Sequence, residues 1–278
     1  MTRHLWLTAS FAAFSLVGCG GGGSAAVTGL KIVPASSSTA ALTAQVGDAL
    51  QLTVVETLAD GTTKALPASA SVAWSGIPTV AALDPSSAAA SPIPSPGATP
   101  TAFFIANAGR PDHATDLNGV VFVMDGGTSG TGTISVSANV TGVSGATTAS
   151  ASVAVTAAPT GNAANGQTQY AANCAACHGA TGAGSPPVTG STTMFGLEGK
   201  TYDYPAPGLN AIAGNVAGDP DWTVALFAIG SRADIDNGGL TLRAPMPNWL
   251  AETVGTTNQP LTTQDFYDIF AYMATQTQ

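Results

Sequence analysis

Basic residues are almost missing from this chain. Seven Lys and Arg stand against sixteen Asp and Glu in 278 residues, a formal charge of −9. With no Lys/Arg cluster to meet phosphates, nucleic acid and anionic lipid surfaces are excluded as partners. Charged residues of either sign amount to only 8% of the chain, beside 33 Gly and abundant Ser, Thr and Ala. That composition points to an extracytoplasmic protein rich in β-structure, and the length exceeds one average domain. Cysteine and histidine are scarce, with three of each. The apolar run from Leu5 to Val17 is too short to cross a bilayer, and behind Arg3 and His4 it has the length of a signal-peptide core.

The few cysteines that exist are placed tellingly. Cys174-Ala175-Ala176-Cys177-His178 has the spacing of c-type haem attachment, in which two thiols add across the haem vinyl groups and the adjacent histidine reaches the iron. A zinc site needs more ligands, and outside the motif only Cys19, His4 and His113 remain. A redox CxxC of the thioredoxin kind needs a βαβ context, which this chain lacks. One covalent haem c is therefore expected on Cys174 and Cys177, with His178 as an iron ligand.

Leu16-Val17-Gly18-Cys19 resembles the bacterial lipobox, which implies cleavage before Cys19, a lipid on its thiol and export. Residues 1–18 then form the signal peptide and 19–26 a Gly-rich flexible tether. Gly20 after the cysteine resembles lipoproteins sent to the outer membrane. Two or more acyl chains hold a protein durably at a bilayer, so the mature chain is expected to be anchored in the cell envelope rather than spanning it. All three cysteines are then used, and no disulfide remains.

Residues 27–158 read as short strands between turns. Leu50, Leu52 and Val54 alternate with their neighbours, as do Ile134, Val136, Ala138 and Val140, and then Val153 and Val155. This period of two predicts an antiparallel sandwich, with Asp60-Gly61 as a hairpin turn. The order of Gly29–Pro34, Gly47-Asp48, Asp60-Gly61, Val72-Ala73-Trp74-Ser75, Val80-Ala81 and Gly132-Thr133-Ile134 resembles bacterial Ig-like domains of group 2. A Pro/Ala/Ser-rich insertion at 85–119 departs from that family and reads as a long mobile loop. Trp74 is expected in the core. Asp112, His113, Asp116 and Asp125 read as solvated loop residues rather than metal ligands. The segment reads as a spacer or docking module.

Residues 159–278 are expected to form the haem domain. A helix is predicted over 162–173, and another near the C-terminus, where Thr262 and Asp265 approach a capping box ahead of the stripe Phe266, Ile269, Phe270 and Met273. Gly166 and Tyr170 lie eight and four residues before Cys174. With Asp268-Ile269-Phe270-Ala271-Tyr272-Met273, these offsets resemble class I cytochromes c. That resemblance implies two helices crossing at right angles beside the haem, with Tyr170, Ile269 and Tyr272 packing the crossing.

For a second axial ligand, Met246 sits between Pro245 and Pro247, whose fixed φ angles hold it in a rigid extended segment. The Met-Pro pair also resembles the family's distal loop. Met194 and an open distal site are the alternatives, and Met273 belongs to the core. The resemblance further implies that Pro186, or Pro187, offers its carbonyl to the second ring N–H of His178. A third helix is predicted from Asp219 and Pro220, with Trp222, Leu226 and Ile229 facing inward. Trp222, Trp249, Arg232 and Arg243 are either haem-propionate contacts or, equally, core tryptophans and solvated arginines.

The chain thus reads as a multidomain protein, an all-β Ig-like sandwich followed by an all-α cytochrome c domain. Its expected function is one-electron transfer without turnover chemistry, to a redox partner with a basic docking surface. A haem-based sensor with an open distal site and a surface binding protein acting through its Ig-like domain are the competing readings.

Overall fold

The computed structural model describes residues 25–81, 100–106, 117–124, 130–184, 223–233 and 261–276. Ten strands come first: β1 Val27–Pro34, β2 Thr43–Gln45, β3 Ala49–Leu58, β4 Thr63–Ala65, β5 Ser71–Ser75, β6 Thr79–Ala81, β7 Thr101–Ala106, β8 Val120–Met124, β9 Gly132–Thr141 and β10 Thr148–Thr156. Four described helices follow: α1 Ala163–Asn173, α2 Ala175–His178, α3 Val224–Ala233 and α4 Thr263–Met273.

The strands form two sheets. One runs β1-β3-β8-β7-β6, with β4 paired to β3, and the other runs β2-β10-β9-β5. Their facing sides share one apolar core, in which Ile32, Leu52, Val54, Val121 and Val123 of the first sheet meet Ile134, Val136, Val140, Val153 and Val155 of the second. The alternation in β3, β9 and β10 is the imprint of this half-buried packing. Asp60-Gly61 turns the chain between β3 and β4, where the Asp60 side chain accepts from the backbone N–H and hydroxyl of Thr62 at 2.9 and 2.7 Å.

Three expectations are corrected. The sandwich is not wholly antiparallel, because β2 runs parallel to β10 and β6 runs parallel to β7, each pair at a sheet edge. The insertion is not all loop, because β7 lies within 85–119 and Phe103, Phe104 and Ile105 are buried. Trp74 is only half-buried and packs against Phe104 at 5.9 Å between ring centroids.

The β7–β8 region is covered on both faces. Ala102, Phe104, Val121 and Val123 point into the sandwich core, while Phe103, Ile105, Val120, Phe122 and Met124 point away from it. Against that outer face lies α3, through Leu226, Ile229 and Ala233. A strand buried on both sides has no polar face, which is why Val120–Met124 reads as an unbroken apolar run.

The other side of α3 belongs to the helical region. Phe227 and Ala228 join Tyr170, Phe266, Tyr267, Ile269 and Met273 in a second core. Leu226 and Ile229, expected to face inward within the haem domain, instead face the β-sheet. The Thr223 hydroxyl accepts from Leu226 N at 3.1 Å at the start of this helix, while Asp219, Pro220 and Trp222 lie outside the described residues. All of α3 from Ala225 to Ala233 is buried. It is a wedge between two cores, so the β-region is packed against the helical region and is not a free spacer.

Candidate functional site

The site begins with the cap of α1. Asn162 has extended backbone, and its side chain accepts from the N–H groups of Ala164 and Asn165 at 3.0 and 3.2 Å. Asp268, from the middle of α4, completes this end. Its carboxylate accepts from Asn162 N at 2.7 Å, Asn165 Nδ2 at 2.5 Å and Gln264 Nε2 at 2.7 Å. A carboxylate at a helix N-terminus also meets the favourable end of the helix dipole. The acidic position of the C-terminal run is thereby explained: it ties α4 to α1.

At the crossing, Gly166 is buried and Tyr170 is 1% exposed. Tyr170 lies against Tyr272 with ring centroids 5.5 Å apart, and its hydroxyl donates to Gly179 O at 2.7 Å. Ile269 and Met273 are fully buried beside them, so Met273 is core as its place on the stripe implies. Thr262 and Asp265 form a complete capping box, with the Asp265 carboxylate accepting from Thr262 N at 2.9 Å.

The helices α1 and α2 meet at Cys174, which ends the first and opens the second. The single turn of α2 closes through His178 N donating to Cys174 O at 2.9 Å and Cys177 N donating to the same oxygen at 3.1 Å. Residues at i, i+3 and i+4 share one helical face, so Cys174, Cys177 and His178 are gathered on one side of this turn. Gly179 then leaves the helix at φ +79°. Neither cysteine is in a disulfide. Cys174 and Ala175 pack against the core built by Tyr170, Phe227 and Phe266.

The two thiols differ. Cys174 as a residue is half-buried, yet its sulfur is the more enclosed of the two, and burial followed by the neighbouring Cys177 pushes its pKa up to about 12. Burial also raises Cys177. His178 is 6% exposed, and its carbonyl accepts from Gly184 N at 3.0 Å. Two thiols and an imidazole on one face of a turn, with Cys174 packed on an aromatic core, are the donor set that a covalently attached haem requires, and the residues present fit it.

Arg232 is not a solvated arginine: it is 6% exposed, between the β-region and α4. Its Nη1 donates to Gly47 O and to Thr263 Oγ1, both at 2.8 Å, and its Nη2 donates to Leu261 O at 3.2 Å. The guanidinium also lies over the Phe266 ring, 4.9 Å from its centroid. The Thr263 hydroxyl passes the network on by donating to the Asp48 carboxylate. Burial lowers Arg232 to about 10, opposed by the negative charges of Asp48 and Asp265 and by Tyr267.

Met246, Met194, Pro186, Pro187, Trp249, Arg243 and Cys19 lie outside the described residues, as do Asp112, His113, Asp116 and Asp125. Among the described residues no His/Cys/Asp/Glu group is arranged to hold a metal ion on its own, and no helix is long and apolar enough to cross a membrane. Reading the sequence missed the Arg232 link. The one signal available was a lone arginine inside the apolar run from Val224 to Ala233.

The family model for cytochrome c matches residues 163–277. No curated protein and no solved structure matches the chain. The C-terminal region is accordingly a cytochrome c domain carrying covalently bound haem c, and haem-based electron transfer is its general function.

Proposed function

We propose that this protein is a one-electron carrier anchored to a bacterial envelope membrane. The haem is attached through Cys174 and Cys177, with His178 and Met246 as axial ligands. The observation that carries this reading is the gathering of both thiols and the buried His178 on one turn, whose Cys174 packs against the core at the α1–α4 crossing. When bound, the haem supplies reversible one-electron exchange at its iron.

The chain's own residues do the rest. Cys174 and Cys177 fix the macrocycle, and the aromatic wall of Tyr170, Phe227 and Phe270 shields it from water. His178 supplies one iron ligand, and the Pro186 carbonyl holds its second ring N–H and so its orientation. Met246 supplies a soft thioether, which favours Fe(II) over Fe(III). The β-region is in this reading an Ig-like sandwich. Lipid on Cys19 places the whole in the periplasm or on the outer membrane, within reach of a basic redox partner.

The visible spectrum of the purified ferric protein tests this assignment. Low-spin, six-coordinate bands with a methionine-to-iron charge-transfer feature are expected. High-spin bands that move with CO or cyanide would replace the carrier by a ligand sensor. Anchoring is tested by fractionation, in which Cys19→Ser should leave the membrane and enter the soluble fraction.

A further inference from the structure

Burying an arginine is costly unless its charge is paired and its donors are used. Arg232 meets that demand with groups from two regions of the chain. Gly47 O belongs to the turn between β2 and β3, whereas Leu261 O and Thr263 Oγ1 belong to the start of α4. Asp48 on the same turn supplies negative charge through the Thr263 hydroxyl. The turn is shaped for this contact. Gly47 has φ +91°, and a Cβ there would lie 2.9 Å from Cε2 of Tyr267 on α4. Its backbone is held from behind by Gly47 N donating to Val123 O at 2.8 Å and Val123 N donating to Asp48 O at 3.0 Å.

From Arg232 a short series of ring contacts leads to the haem segment. Its guanidinium covers Phe266, which meets Phe227 edge-on with centroids 6.1 Å apart. Phe227 in turn lies 5.7 Å from Phe270. Those rings share a core with Tyr170, and Cys174 and Ala175 pack against it. Close-packed interiors transmit displacement because they have no slack to absorb it.

We propose that Arg232 is a positioning residue: it fixes α4 on the Gly47-Asp48 turn and, through Phe266, Phe227 and Phe270, sets how tightly the haem is enclosed. The β-region is then a working part of the redox unit, since its turn holds one end of the clamp. This rests on the cytochrome reading, with haem on Cys174 and Cys177. Enclosure matters because solvent access and local dielectric help to set a haem's reduction potential. Loosening the wall admits water, which favours Fe(III) and lowers the potential.

The test uses full-length, haem-loaded protein and three variants, Arg232→Met, Arg232→Lys and Asp48→Asn. Midpoint potential, Soret-region circular dichroism and covalent haem per chain are measured on each. Arg232→Met should lower the potential and change the Soret dichroism while haem content stays at one per chain. Arg232→Lys keeps the charge but loses the fork that reaches three acceptors, so it should fall between wild type and Arg232→Met. Asp48→Asn should shift both signals in the same direction as Arg232→Met. A variant set that melts earlier yet keeps wild-type potential and dichroism would reduce Arg232 to a structural residue and overturn the proposal. If Arg232→Met does not accumulate as folded protein, Arg232→Lys and Asp48→Asn at the wild-type potential overturn it equally. Wild type without covalent haem would instead sink the underlying reading, and this inference with it.

Discussion

A Cβ added to Gly166 would lie 1.8 Å from the carbonyl oxygen of Asp268, so the α1 and α4 backbones touch at this point. No side chain fits there, and Asp268 uses the closeness to reach the α1 cap. Gly in a helix ordinarily costs about 1 kcal/mol relative to Ala. Here the contact between backbones reverses the preference.

Gly166→Ala should therefore destabilise the folded protein. Overpacking costs about 1–3 kcal/mol, from which the better helix propensity of Ala returns about 1 kcal/mol. A clash with backbone sits at the upper end of that range, so the net loss should be about 2 kcal/mol, read by denaturant or thermal unfolding of the haem-bearing protein. A neutral or more stable variant would mean that the helices do not approach this closely.

The two thiols should react in order in the haem-free chain. Only the thiolate is nucleophilic, and burial raises both groups, Cys174 to about 12. A raised pKa keeps the neutral form through physiological pH, so Cys174 should resist alkylation until the pH nears 12. Cys177 should be labelled first at pH about 8. Peptide mass spectrometry after brief exposure to iodoacetamide decides the order. Equal labelling would show that the Tyr170–His178 segment does not hold this fold before haem is attached.

Met246→Ala should leave covalent haem in place and lower the reduction potential, because the group that stabilises Fe(II) is lost. Spectroelectrochemistry measures the shift. Wild-type potential and spectrum in this variant would transfer the ligand assignment to Met194.

Charge should govern the choice of partner. Residues 160–278 hold nine Asp and Glu against three Lys and Arg, a formal −6. Raising ionic strength from about 10 to 150 mM shortens the Debye length from about 30 to 8 Å. The electron-transfer rate with a basic protein should fall over that range and the rate with an anionic reductant should rise. Stopped-flow rates indifferent to salt with both probes would mean a locally neutral haem edge.

Much of the site was legible because its determinants are local. Cys174, Cys177 and His178 are gathered by a single helical turn, and the Thr262–Asp265 box closes over three residues. The Asp60-Gly61 turn is equally local. Gly166, Tyr170 and the 268–273 run were legible by their offsets, which repeat on the chain what the crossing demands in space. For the distal side the sequence offered Met246, Met194 or an open site, and both methionines lie outside the described residues.

The sequence by itself determined the haem segment, the two crossing helices and the alternating strands, each specified by residues near in the chain or by a fixed period. Tertiary structure alone decided that the β-region and the haem domain share packing. Helix α3 is apolar on all sides, and no periodicity tells which of two cores each side will meet. Arg232 finds Gly47 across 185 residues, and Asp48 finds Thr263 across 215. Such pairings follow from desolvation: once α3 is buried between the sheet and α4, its single charge must take whatever acceptors the enclosing surfaces present.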